Sequence, residues 1–306
     1  MTMNAVFVIG IQMRSGTNYL YDLLGKHGDC RLAGDIPEDF LVSESAYLGK
    51  YLKVMWSFWR KFDPKLVSRE SFAAKLEAAV HGVLIDQVDA GDAGKLVVTK
   101  TPCSLGLDQL PLLFRNTKVI FLVRDGRSVT YSLQKSFSMG YFRALQRWQG
   151  GARDIRDFIE GNGEYFKSNC HLVRYEDLFS STEDELRKVF GFLDIDPDSY
   201  DYEAASRSEV IGSSDLRNDG QKVEWSPKAR DSRFDPLRRF TQWPQWKQRA
   251  TEMILGEELR HFSYKCELGG RDPVALAVAA GYAVFSVASR LFPKNLKRSI
   301  KRRMLR

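Results

Sequence analysis

Four short apolar runs punctuate the chain, at residues 5–10, 95–99, 118–123 and 171–175; the first and third are nearly uninterrupted Val, Ile, Leu and Phe. Apolar runs without alternation are what strands buried on both faces require. Elsewhere apolar positions recur three and four apart, which predicts helices near 17–26, 104–115, 126–136, 141–160, 183–193 and 244–262. Strand followed by helix, repeated, implies an α/β fold: three α/β/α layers around a central parallel sheet, with ligands outside the carboxyl ends of its strands. Two stretches interrupt this rhythm. Residues 42–90 predict a helical insertion, and its Tyr47, Tyr51, Trp56, Phe58, Trp59 and Phe62 have the spacing of core aromatics. Residues 198–243 are polar and loop-like, with Trp225 and Trp243 in their second half and Trp246 just beyond, and predict a mobile cover. The chain contains no internal repeat.

Composition narrows the class. With 306 residues and 43% apolar content the chain can bury a sizeable core, and a single domain over 1–270 followed by a separate 271–306 segment is the simplest division. The net charge of +7 suggests nucleic acid, but its distribution excludes that reading. Seven cations and no acid lie between Lys294 and Arg306; without them 39 cations face 39 acids, so the body is neutral. Before this tail, Pro273 to Pro293 is apolar but Ala-rich, with Ser286, Ser289 and Arg290. That is marginal for a span and suits an interfacial helix whose basic tail is drawn to an anionic membrane surface. A strand almost at Met1 leaves no room for a secretory signal or N-terminal anchor, so a cytoplasmic protein, peripheral on the inner membrane face, is expected. Cys30, Cys103, Cys170 and Cys266 are far apart and read as reduced thiols, and neither they nor the four histidines form a metal pattern.

The chemistry concentrates where strands give way to helices. Val6-Phe7-Val8-Ile9-Gly10 runs through Ile11-Gln12-Met13-Arg14-Ser15-Gly16 into Thr17-Asn18-Tyr19-Leu20, the layout of a phosphate cradle. In such a cradle the amides at a helix start and the helix dipole meet an anion, and a glycine allows close approach. A nucleoside-triphosphate loop would need Lys after its second glycine; here Thr17 follows Gly16, and the cation, Arg14, precedes the turn. A second strand-to-helix junction, Val123-Arg124-Asp125-Gly126-Arg127-Ser128, has Arg124 at the strand end and Ser132 eight positions later, two helical turns on. Arg124 and Ser132 can face one phosphate, Arg124 with charge-assisted donors; alternatively Asp125 simply caps the helix.

Together these loops resemble the 5′-phosphosulfate and 3′-phosphate elements of the sulfotransferases that use 3′-phosphoadenosine 5′-phosphosulfate (PAPS). Three further matches extend the resemblance, Lys100-Thr101-Pro102, Tyr175-Glu176-Asp177-Leu178 and the polar loop Ile211-Gly212-Ser213-Ser214-Asp215, and Arg14-Ser15-Gly16-Thr17 with Lys100-Thr101-Pro102 makes the likeness closer to the Golgi, tyrosylprotein and bacterial carbohydrate/lipid group than to the cytosolic small-molecule enzymes. The resemblance implies PAPS as cofactor, no metal, and a hydroxyl-bearing acceptor, glycan or lipid-linked, with residues 42–90 over the acceptor side. It places Arg14, Ser15, Gly16, Thr17, Asn18, Arg124, Ser132, Tyr175, Ser213 and Ser214 around the nucleotide. Asn18 departs from the family's usual second Thr. Charge builds on the leaving bridging oxygen during sulfuryl transfer, so fixed cations and a base are needed. Arg14 and Lys100 are the cations. For the base, spacing favours Asp35, residue type favours Glu38, and His81 is next. The rivals are a P-loop kinase using ATP, for which the Lys and a magnesium-binding Asp are missing, and a membrane-bound nucleotide-binding adaptor, which would have no need to keep Arg14 and Lys100.

Overall fold

A computed structural model describes residues 5–33, 38–62, 68–85, 94–209, 211–212, 223, 226–229, 236–268 and 272–291. Five strands, β1 (Ala5–Gly10), β2 (Cys30–Leu32), β3 (Leu96–Thr101), β4 (Lys118–Val123) and β5 (Cys170–Arg174), lie in the order β2-β3-β1-β4-β5, and every neighbouring pair is parallel. The helices are α1 (Thr17–Gly25), α2 (Ala46–Trp59), α3 (Arg69–Ile85), α4 (Leu110–Leu113), α5 (Gly126–Phe137), α6 (Tyr141–Gly161), α7 (Gly163–Asn169), α8 (Tyr175–Ser180), α9 (Thr182–Leu193), α10 (Tyr202–Ser206), α11 (Gln245–His261) and α12 (Pro273–Leu291).

Alternation along the strands makes the three layers. Phe7, Ile9, Val119, Phe121 and Val123 point to one face, where Leu52 of α2, Leu133 of α5 and Trp148 of α6 cover them. Val6, Val8, Ile120 and Leu122 point to the other, against Leu20, Leu23 and Leu24 of α1 and Phe190 of α9. Each such fully buried side chain contributes roughly 1.5–3 kcal/mol. The chain leaves β1 toward β2 and β3 on one side and later toward β4 and β5 on the other. A crevice therefore opens at the carboxyl end of β1, where the strand order reverses.

The structure departs from the sequence reading in four places. β2 was not expected, because three residues are too few to show a period; it adds to the sheet edge beside Leu96 to Val98. The helix expected over 104–115 begins only after Gly106, which takes a left-handed φ of 78°, and is a 3-10 turn, Leu107–Gln109, followed by the four-residue α4, whose Pro111 has no amide N–H to bond back into a longer helix. Tyr175 opens α8 instead of ending a strand. The aromatics of α2 are not all core: Trp56 and Trp59 pack inward with Leu48, Leu52 and Met55, whereas Tyr47, Tyr51, Phe58 and Phe62 are exposed. Of the expected cover, Trp243 is buried beside Tyr131 and Phe240, and Trp225 lies outside the described residues. α12 is docked on α6, where Tyr282 Oη donates to Gln149 Oε1 at 2.9 Å and Phe285 meets Phe142.

Candidate active site

The loop from Ile11 to Gly16 is built to hold its own shape. The Ile11 amide extends the β1 ladder to Leu122 O at 2.9 Å, and Ser15 closes the turn with both its amide and its hydroxyl donating to Gln12 O, at 3.2 and 2.6 Å. Arg14 and Gly16 take left-handed φ values of 75° and 97°. At Gly16 a side chain is doubly excluded, since a Cβ there would lie 2.3 Å from the Tyr175 ring. Gly16 also occupies the cap position of α1 without a capping side chain, and the first turn holds no acid. First-turn amides lack helical carbonyl partners, so this uncapped end offers an anion both donors and a positive dipole end. The equivalent end of α5 is closed: Asp125 Oδ1 accepts from Arg127 N at 2.8 Å. The capping role for Asp125 is thus real, and it leaves the end of β4 to Arg124.

Three arginines converge behind the loop. Buried Ser132 accepts from Arg14 Nε at 3.0 Å and from Arg239 Nη1 at 3.1 Å. Arg124 lies 4.3 Å over the Tyr175 ring, donates to Arg14 O at 2.9 Å and to Pro236 O, and keeps a buried Nε with no hydrogen-bond partner. Trp148 Nε1 donates to Arg124 O at 2.9 Å and fixes the strand end from below. Arg127 faces away, into a buried network with Asp125 and Glu252; burial opposes its charge, yet the bonds to both carboxylates hold its pKa above the ordinary value.

Across the crevice, the end of β3 presents Lys100, whose Nζ is 3.9 Å from Glu38 Oε1. Burial lowers the Lys100 pKa, and Glu38 and Asp39 oppose the shift. Asp39 is engaged structurally: its carboxylate accepts from Thr99 Oγ1 at 2.6 Å, Thr101 Oγ1 at 2.7 Å and Leu41 N at 2.6 Å. The cleft between these walls is partly open to solvent. Arg14, Thr17, Asn18, Glu38, Arg124 and Arg239 line it.

The sulfotransferase-family model matches residues 5–199, nearly two thirds of the sequence. The chain belongs to the sulfotransferase family. It is 25% identical over 205 residues to the protein-tyrosine sulfotransferase of Drosophila melanogaster, covering 63% of this chain and 38% of that protein. With protein-tyrosine sulfotransferase A of Caenorhabditis elegans it shares 24% over 215 residues, 68% of this chain and 53% of the other. The chain thus spans between about two fifths and half of the length of these relatives. Among solved structures it is similar to the sulfotransferase domain from the curacin biosynthetic pathway, with 20% identity, 92% of this chain and 98% of that chain covered, and a TM-score of 0.44.

Within this sulfotransferase fold the expected residues are placed differently, and Lys100, buried at the end of β3, is not among the residues that line the cleft. Arg14, Gly16, Thr17, Asn18, Arg124, Tyr175 and Glu38 reach the cleft wall. Ser15 and Ser132 are fully buried behind it, where they brace the loop and the arginines. Asp35, Ser213 and Ser214 lie outside the described residues, although neighbouring Ile211 and Gly212 line the cleft. His81 does not line it: its ring meets Thr117 Oγ1 at 3.0 Å, and Thr117 donates to Glu77. Arg239 was missed, because within Leu237-Arg238-Arg239-Phe240 nothing distinguishes a buried arginine from a solvated one. Among the described residues no group of three His, Cys, Asp or Glu could hold a metal.

Proposed function

We propose that the chain is a PAPS-dependent sulfotransferase that makes a sulfate ester on an acceptor hydroxyl and releases 3′-phosphoadenosine 5′-phosphate. The observation that carries this reading is the pairing, on one cleft, of an uncapped helix start at Gly16 with an arginine cluster at Ser132 whose Arg124 Nε is buried and unbonded. A nucleotide with anionic groups at both its 5′ and 3′ positions suits two such centres. The amides of Gly16 to Asn18, the Thr17 hydroxyl and Arg14 would hold the phosphosulfate end; Arg124 and Tyr175 would hold the 3′-phosphate end, braced from behind by Ser132 through Arg14 and Arg239, with Ser213 and Ser214 closing over the nucleotide. The nucleotide supplies an activated sulfuryl group.

Lys100 and Arg14 supply fixed positive charge for the bridging oxygen that leaves, and a carboxylate takes the acceptor proton. Glu38, on the cleft wall beside Lys100, suits that role; Asp35 is the alternative. The acceptor hydroxyl belongs to a glycan or a lipid-linked molecule reached past residues 42–90. The relatives named for protein tyrosine add a tyrosyl phenol to the acceptors to be tried. Membrane association through 273–306 is part of the same reading, supported by the length and apolarity of α12 and the basic tail.

Calorimetric titration with 3′-phosphoadenosine 5′-phosphate, against ADP and magnesium-free ATP, tests the cofactor. Micromolar binding of the 3′-phosphorylated nucleotide alone, abolished by Arg124→Ala, is expected. Equal binding of ATP would overturn the assignment.

A further inference from the structure

α2 is apolar on two faces, and among the described residues only one is packed into the core, the other meeting the fold at the Tyr51 ring, which lies edge-on to Phe72. Leu48, Leu52, Met55 and Trp59 pack against the core. Tyr47, Tyr51, Val54 and Phe58 follow the same spacing one residue earlier and, at 3.6 residues per turn, fall within an arc of about 60°. With Phe62 just beyond the helix, they are between 51% and 76% exposed. A helix that is apolar this far round is ordinarily covered on both sides. None of the five lines the cleft, so the surface stands apart from the chemistry proposed there.

The charges on α2 indicate what covers it. Between Ala46 and Phe62 there are four cations, Lys50, Lys53, Arg60 and Lys61, all exposed, and no acid. Lys50 and Lys53 flank the stripe on its open side. A second copy of the chain laid face to face here would bring two such cation sets together, which is repulsive. An anionic bilayer meets both demands at once: aromatic and aliphatic side chains enter the headgroup boundary while flanking lysines stay among the lipid phosphates. The same chain carries another uncovered apolar surface, Leu276, Val284, Val287 and Leu291 on α12, followed by the seven-cation tail. Both surfaces fit one partner.

We infer that the Tyr47–Phe62 stripe of α2, with Lys50 and Lys53, is a membrane-docking surface for anionic lipid, separate from α12 and the tail. The full-length protein is sedimented with vesicles of phosphatidylcholine and of phosphatidylcholine with 30% phosphatidylserine. Its partition coefficient is compared with those of Tyr47→Ser/Val54→Ser/Phe58→Ser and Lys50→Ala/Lys53→Ala. Loss of two lysines near an anionic surface should weaken partition about tenfold or more on the serine-containing vesicles, with little change on neutral ones. The apolar triple variant should lose at least as much on the anionic vesicles. Unchanged melting temperatures confirm that both variants are folded. Wild-type partition by both variants, with all binding left to α12 and the tail, would overturn the inference. So would light scattering that shows a dimer which the triple variant splits into monomers.

Discussion

Helix α6 carries two consecutive glycines that should respond to alanine in opposite directions. At either position alanine gains about 1 kcal/mol of helix propensity. At exposed Gly150 a Cβ meets nothing within 4 Å, so Gly150→Ala should keep that gain. At Gly151 a Cβ would lie 2.0 Å from Ile11 O and 3.2 Å from Ser104 Oγ. The obstacle is backbone, and that backbone is fixed, because the Ile11 amide is bonded to Leu122 O. Overpacking of this kind costs typically 1–3 kcal/mol, and more where nothing can give. A 2.0 Å approach to fixed backbone puts the cost in the upper part of that range, about 2–3 kcal/mol, so Gly151→Ala should lose about 1–2 kcal/mol net and the two variants should differ by about 2–3 kcal/mol. In a chain of this size that separates their melting temperatures by about 3–5 °C. Urea unfolding and differential scanning calorimetry measure the difference. Titration with 3′-phosphoadenosine 5′-phosphate should also weaken in Gly151→Ala alone, since Ile11 leads into the anion loop. If both variants are equally stable and bind equally, α6 does not press on the loop and the reasoning fails.

Two further outcomes concern the chemistry. In the proposed reaction Lys100 serves as a cation, and its burial lowers its pKa, so turnover should fall as pH rises at values below the ordinary lysine range; Lys100→Arg should carry activity to higher pH, and an unchanged alkaline limb in that variant would remove Lys100 from the reaction. Glu38→Gln should reduce turnover on the order of 100-fold while nucleotide affinity holds; if Asp35→Asn has that effect instead, Asp35 is the base.

The parts of the fold and site that were legible in the sequence are those whose signals are local. At Gly10 to Thr17 and at Val123 to Ser128 an apolar strand, a turn and a helix follow one another without a gap, so strand, cradle and arginine could be read together. β2 gave no such signal, because three residues set no period. Arg239 joins Ser132 across 107 positions, and only tertiary packing tells it from Arg238 beside it. α2 failed for another reason: the 47/51/54/58 and 48/52/55/59 series are both apolar at helical spacing, and periodicity cannot say which one docks. The carboxylates at 38 and 39 differ by partners, not by pattern; only the hydroxyls of Thr99 and Thr101 reveal Asp39 as a brace.

Tyr175 lies against Gly16 on one side and under Arg124 on the other. Positions 16 and 175 are therefore unable to drift independently in evolution. A side chain at 16 is admissible only when 175 is small, and a small 175 strips Arg124 of its aromatic face. Lineages that lose the tyrosine before they have another support for the arginine would damage both ends of the cleft in one substitution, whereas lineages that keep it must keep glycine 159 residues upstream.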